Sequence, residues 1–78
     1  MIFGINLKTP EDVKQLNRHA SKFDFDVFVH GKDRTEIMDA KSLLGLMSFI
    51  NKENLRLVVP DHVNKKAVRN GIENLLTA

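Results

Sequence analysis

The stretch Asp39-Ala-Lys-Ser-Leu-Leu-Gly-Leu-Met-Ser-Phe-Ile50 decides the fold prediction for this chain. Ser42 stands where a helix would begin, and six of the eight residues after it are apolar. At about 100° per residue these six side chains cover an arc of about 220°, whereas a surface helix needs little more than half of that to cover a core. The sequence therefore predicts a short helix over residues 43–51 with more apolar surface than packing requires.

We expect the two flanks of this helix to have different environments. The hydroxyl of Ser42 is predicted to cap the helix by accepting a hydrogen bond from a backbone N–H of the first turn. The inner flank, which we expect to pack on the core, comprises Leu46, Phe49 and Ile50. The outer flank, which we expect to remain exposed, comprises Leu43, Leu44 and Met47.

Strand and helix signals alternate through the rest of the chain. Residues 2–7, 24–30, 35–40 and 55–59 alternate apolar and polar side chains as strands do, with a polar turn at residues 31–34. Thr9-Pro10-Glu11-Asp12 is a strong helix start, because Thr caps, Pro suits the first helical position and acids favour the positive helix end. This helix is predicted to end near Lys22, and a third helix follows Pro60 with Asp61 or Asn64 as its cap.

The predicted third helix is lined by Val63, Ala67, Ile72, Leu75 and Leu76, with Val68 at the edge of that stripe. The element order is therefore strand, helix, strand, strand, helix, strand, helix. Strands with one apolar face and helices with one apolar stripe predict an α+β domain over residues 1–78, in which three helices cover one face of a mainly antiparallel four-stranded sheet. On its other face, we expect a modest apolar patch of Phe28, Ile37 and Val58.

Composition excludes several classes of function. The chain has 78 residues and no cysteine, so neither a disulfide framework nor a thiolate metal site is expected. Its net charge of +2 comes from interspersed signs, and Phe is its only aromatic besides histidine, which makes nucleic acid an improbable partner. The opening apolar run is too short for a signal peptide, and no run is long enough to span a membrane. We therefore expect a soluble cytoplasmic protein.

The element order resembles that of HPr, the histidine-containing phosphocarrier protein of the bacterial sugar phosphotransferase system. The likeness is sharpest in Ala40-Lys41-Ser42-Leu43-Leu44-Gly45-Leu46-Met47-Ser48, which looks like the regulatory-serine motif of that family. Ala20-Ser21-Lys22-Phe23-Asp24, followed by Asp26-Val27, looks like its passage from the first helix to the second strand. The resemblance covers essentially the whole chain and implies the HPr-like open-faced β-sandwich.

One departure from the family concerns its chemistry. HPr proteins carry a phosphoryl group on a histidine at the start of the first helix, closely followed by an arginine. Here Thr9 takes the position of that histidine, and the first histidine of the chain is His19, near the end of the helix. Glu11 and Asp12 would also repel a phosphate at this helix start. We therefore expect no histidine-based phosphoryl relay.

The resemblance implies a regulatory or protein-binding role. The family docks its partners through the exposed half of the second helix, which corresponds to Leu43, Leu44 and Met47, and Ser42 looks like its kinase-modified serine. A serine kinase and a transcriptional regulator are the candidate partners, and the chain is expected to be a monomer or a weak dimer. No enzymatic activity, catalytic residue, cofactor or metal is expected, because His19, His30 and His62 lie on different elements.

Two alternatives remain open from the sequence. The first is a phosphocarrier with an atypical acceptor, such as Thr9 or a displaced histidine. The second is a small nucleic-acid-binding module that uses the open face of the sheet. A basic face formed by Lys65, Lys66 and Arg69 of the last helix with Lys52 and Arg56 would favour the second alternative, although an ordinary solvated surface explains these residues better.

Overall fold

A computed structural model of the chain describes residues 1–33 and 35–77. Arg34, predicted to lie in the polar turn, is outside the described residues. The elements follow the predicted order: β1 (Ile2–Ile5), α1 (Pro10–Ala20), β2 (Phe28–His30), β3 (Ile37–Asp39), α2 (Leu43–Met47), β4 (Leu55–Val58) and α3 (Lys65–Arg69), with a 3₁₀ turn at Glu73–Leu75. The strands form one antiparallel sheet in the order β1-β4-β2-β3. The predicted α+β class is confirmed.

The register of the sheet separates an inner face from an outer face. Phe3 pairs with Leu57, and Leu57 with Val29, and all three side chains are buried beneath the helices. Because side chains alternate along a strand, their neighbours form two rows on the outer face. One row is Ile2, Val58, Phe28 and Asp39; the other is Gly4, Arg56, His30 and Ile37.

A single apolar core joins the inner face of the sheet to the three helices. α1 contributes Val13, Leu16 and Ala20, α2 contributes Leu46, and α3 contributes Val68. With no disulfide, this core must hold so small a domain together.

The first helix begins as the sequence predicts and ends two residues early. Thr9 caps it and Pro10 is its first residue. The backbone N–H of Ser21 donates to the Asn17 carbonyl (3.0 Å), and that of Lys22 donates to the His19 carbonyl (3.2 Å), which tightens the last turn and ends the helix. The helix therefore ends at Ala20 and does not reach Lys22.

The predicted hairpin strands are longer than the observed ones. β2 begins at Phe28 rather than at residue 24. In the segment before it, the ring of Phe25 stacks on the ring of Phe23, with centroids 4.7 Å apart. The N–H of Ala40 nevertheless donates to the Val27 carbonyl (2.8 Å), so the buried side chain of Val27 keeps its predicted inward position. Local aromatic packing has shortened the strand without changing which face is buried.

The prediction that α2 reaches residue 51 is wrong. After Met47 the chain continues in tight i to i+3 turns, in which Phe49 N–H donates to the Leu46 carbonyl (2.9 Å). The Ser48 hydroxyl donates to the Gly45 carbonyl (2.7 Å), which gives that carbonyl a partner outside the helical pattern. Asn51, with φ of 67°, then turns the chain so that its N–H bonds to the Leu7 carbonyl (2.8 Å).

The third predicted helix is interrupted at Gly71. Asn64 caps α3, as one of the two predicted caps, but α3 ends at Arg69. Gly71 has φ of 142°, a conformation that residues with a side chain rarely adopt, and the chain resumes as the 3₁₀ turn. Val68, predicted at the edge of the apolar stripe, is buried, whereas Ala67, predicted within the stripe, is exposed.

Candidate functional site: the exposed face of α2

Ser42 caps α2 with its side chain at the protein surface. Its hydroxyl accepts from the N–H of Gly45 (3.3 Å), and its carbonyl accepts from the N–H of Leu46 (3.0 Å). The residue is exposed, and the first turn of α2 contains no acidic side chain. The predicted cap is present, and the residue that provides it lies at the surface.

The three residues of the predicted outer flank differ in exposure. Leu44 is 86% exposed and Leu43 is 37% exposed, the two large apolar side chains of α2 that face solvent. Met47 is half-buried and packs against the margin of the core, so it belongs to the surface only in part. Leu46 and Phe49 are buried and Ile50 packs on the core, as predicted for the inner flank.

Gly45 lies where α2 comes close to the edge strand β3. A Cβ atom at this position would overlap the Sδ atom of Met38 on β3. The absence of a side chain therefore lets α2 lie directly on the edge strand. With its backbone held there and Leu46 buried, α2 presents Leu44 outward.

Two polar side chains hold the loop that leads into α2, and the sequence prediction missed both. Lys41 Nζ donates to the carbonyl of Phe23 (2.8 Å), and the amide of Asn17 donates to the carbonyl of Ala40 (3.2 Å). Both bonds connect the residues before Ser42 to the segment of α1 and the turn that follows it. Their partners lie 18 and 23 residues away, so no local pattern indicates them.

The helix start at Thr9 is closed by side chains of its own segment. The N–H of Asp12 donates to Thr9 Oγ1 (3.2 Å), while the N–H groups of Lys8 and Thr9 donate to Asp12 Oδ2 (2.9 and 3.2 Å). This reciprocal capping box satisfies the donors that an anion would otherwise use. The carboxylate of Asp12 therefore already accepts from two backbone N–H groups at this helix start.

The histidines do not form a common site. His19 Nε2–H donates to the Val68 carbonyl (2.8 Å), and its ring meets Phe23 edge to face at 5.1 Å, so it joins α1 to α3. His30 lies on the outer face of the sheet, and His62 is exposed before α3. Within residues 1–33 and 35–77, no group of three or more His, Cys, Asp or Glu could hold a metal ion.

The predicted basic face is divided among different environments. Lys52 Nζ lies 2.6 Å from Glu36 Oε2, and this hydrogen bond, with one from the N–H of Asp33, lowers the pKa of Glu36. Hydrogen bonds from Thr35 likewise lower the pKa of Asp33.

The other basic residues of the predicted face lie elsewhere. Arg56 Nη2 donates to the Gly31 carbonyl (3.1 Å) on the outer face of the sheet. Lys65, Lys66 and Arg69 lie on α3.

The outer apolar patch is also rearranged. Phe28 and Val58 are paired across β2 and β4 and half-buried, whereas Ile37 lies in the other row. Ile2, which the sequence prediction did not include, is 62% exposed beside Val58. Only the Ile2, Val58 and Phe28 row is contiguous.

No helix in the described part of the chain is long and apolar enough to span a bilayer. A scan against models of known families finds no match, and searches of curated proteins and of solved structures find none either. The resemblance to HPr therefore stays a prediction based on the residues and the element order.

Proposed function

We propose that this chain is an HPr-like regulatory domain that binds a protein partner through Leu43, Leu44 and the exposed part of Met47. The proposal includes a cytoplasmic setting and a partner such as a serine kinase or a transcriptional regulator. The confirmed element order and the one-sided helical layer support the resemblance from which this role follows.

The exposure of Leu44 is the observation that carries the proposal. An 86% exposed leucine is ordinary when it stands alone, but this one lies beside a second exposed leucine on a helix that is held by buried Leu46 and by the hydrogen bonds of the preceding loop. Burying both side chains in a partner would remove apolar surface from water, and the fixed backbone would reduce the ordering cost of binding. Partly exposed Met47 adds an adaptable contact at the edge.

Ser42 gives this surface a means of regulation. A phosphate on its exposed hydroxyl would add about two negative charges next to Leu43 and Leu44. Such a charge would disfavour an apolar partner surface and favour one that offers arginine or lysine. The modification would therefore change the choice or the affinity of partners.

Phosphoryl relay is not part of the proposal, because the helix start at Thr9 is already closed by Asp12. Thr9 has no imidazole nitrogen, and His19 Nε2 is engaged by the carbonyls of α3. A transferred phosphoryl group would have to displace Asp12 from two backbone donors.

The test is affinity capture from native lysate with three forms of the full chain: the unchanged protein, Leu44→Glu, and Ile37→Glu. Ile37 is a matched control because it is 51% exposed but lies in a row of the outer face of the sheet, on the side opposite to the helices. Leu44→Glu is preferred to a change at Met47, since Met47 packs partly on the core. All three proteins should give the same circular-dichroism spectrum, and the captured proteins are identified by mass spectrometry.

We expect Leu44→Glu to lose a partner that both the unchanged protein and Ile37→Glu retain. If every captured protein bound Leu44→Glu as well as it bound the unchanged chain, the assignment of the docking surface would be wrong.

A further inference from the structure

A cavity of about 500 Å³ lies beside the outer face of the sheet, at the ends of β1 and β4 that are distant from Ile2. Gly4, Asn6, Lys32, Asn54, Arg56 and Thr77 contribute to its lining. Its volume falls within the range typical of small-molecule sites, and it does not include any residue of the α2 surface.

The cavity is concave because of a glycine and a backbone strap. Gly4 pairs with Arg56 in an outward-facing row but places no side chain there. The N–H of Thr77 donates to the Gly4 carbonyl (2.9 Å), and the N–H of Asn6 donates to the Leu75 carbonyl (2.8 Å), so residues 75–77 run along the free edge of β1. A Cβ at Gly4 would overlap Thr77 Oγ1, so the Thr77 side chain lies directly against the glycine, and both residues line the cavity.

The lining is positively charged. Lys32 and Arg56 both line the cavity, and no carboxylate among the described residues does so. The hydrogen bond from Arg56 Nη2 to the Gly31 carbonyl orients the guanidinium, whose other N–H groups make no hydrogen bond within residues 1–33 and 35–77. The nearest acids along the chain from Lys32 are engaged elsewhere: Asp33 accepts from Thr35, and Glu36 pairs with Lys52.

We propose that this cavity binds a small phosphomonoester, with its phosphate between Lys32 and Arg56. Two cations suit a phosphate dianion better than they suit a carboxylate, which carries a single charge. The planar guanidinium of an arginine can also donate two hydrogen bonds to phosphate oxygens. An inorganic ion would leave most of about 500 Å³ empty, whereas a sugar-sized body would fill it. Asn6, Asn54 and Thr77 offer amide and hydroxyl groups to the hydroxyls of such a body.

The experiment is a titration of the ¹⁵N-labelled full chain with ribose 5-phosphate, followed by amide chemical shifts. We expect shifts concentrated at Gly4, Asn54, Arg56 and Thr77. Lys32→Gln and Arg56→Gln should each weaken binding at least tenfold, because each removes a charge-assisted contact with the phosphate. Lys22→Gln is the charge-matched control: Lys22 is exposed in the turn after α1 and does not line the cavity. It should bind as the unchanged protein does.

Two further ligands show how much of the affinity comes from the phosphate and how much from the sugar. Ribose should cause no shifts at the same concentration, and inorganic phosphate should bind at least tenfold more weakly than the ester. Shifts scattered over all basic surfaces, or equal weakening by Lys22→Gln, would overturn the proposal. Equal affinity for inorganic phosphate and the ester would contradict the assignment of a phosphomonoester. Lys32→Gln keeps the test decisive if Arg56→Gln disturbs the fold, because Lys32 is exposed in the turn between β2 and β3.

Discussion

The helix starts at Thr9 and Ser42 use the same capping chemistry but differ in what surrounds it. At Thr9, the side chain of Asp12 returns to the backbone N–H groups and closes the terminus. At Ser42, no acid lies in the first turn, and the next two residues are exposed leucines. A capping residue therefore indicates where a helix begins, while its neighbours decide whether that end is available to another molecule.

The largest expected change in the free energy of unfolding comes from the buried leucine of α2, and the exposed leucine should change it little. Leu46→Ala should lower the free energy of unfolding by about 2–5 kcal/mol, because Leu46 is fully buried and the substitution leaves a cavity. Leu44→Ala should change it by no more than about 0.5 kcal/mol, since little surface is buried there. Urea denaturation followed by circular dichroism measures both. A large loss from Leu44→Ala would show that Leu44 is part of the fold rather than of a free surface.

A smaller change in stability should distinguish the two helix caps, Thr9 and Ser42. Thr9→Ala should cost about 1–2 kcal/mol of stability, because it removes one half of a reciprocal capping box on an 11-residue helix. Ser42→Ala should cost about 0.5–1 kcal/mol, since its hydrogen bond is longer, at 3.3 Å, and its helix has five residues. The same denaturation experiment applies, with Thr9→Ser and Ser42→Thr as cap-preserving controls. If Ser42→Ala cost more than Thr9→Ala, Ser42 would be chiefly structural.

The smallest expected effect is a change in the pKa of Glu36, which pairs with Lys52 after α2. Lys52→Gln should raise the pKa of Glu36, because the hydrogen bond from Lys52 is the main cause of its lowering. A lowered carboxyl pKa stabilises the fold above the unfolded pKa, and that contribution disappears as the pH falls through the folded value. Carboxyl ¹³C shifts during a pH titration measure the change.

Asp33 is the internal control for that titration. Its pKa is lowered chiefly by hydrogen bonds from Thr35, which Lys52→Gln leaves in place. An unchanged Glu36 pKa in the variant would mean that the pair with Lys52 does not form in solution.

Local signals in the sequence predict much of this fold. Thr9-Pro10-Glu11-Asp12 encodes a helix start within four residues, and alternation fixes which face of each strand is buried. The wide apolar arc likewise predicts that Leu46 lies inside and Leu44 outside, as observed. These predictions succeed because each rests on residues that are close together in the chain.

The remaining features depend on contacts between distant residues. The bond from Lys41 to the Phe23 carbonyl and the bond from His19 to the Val68 carbonyl fix their elements from 18 and 49 positions away. The break at Gly71 could have been suspected from a glycine inside a helical pattern, but its position against the His19 ring could not. The cavity beside Gly4 likewise depends on the strap at residues 75–77.

The most direct test of the account adds the same charge at each helix start. Aspartate is a good N-cap, so both Ser42→Asp and Thr9→Asp should preserve the fold. The dissociation constant is then measured by isothermal titration against the partner that is lost by Leu44→Glu. We predict a change of at least threefold for Ser42→Asp, which places the charge beside the docking leucines, and no significant change for Thr9→Asp. A change for Thr9→Asp with none for Ser42→Asp would contradict the account and place recognition at the start of α1.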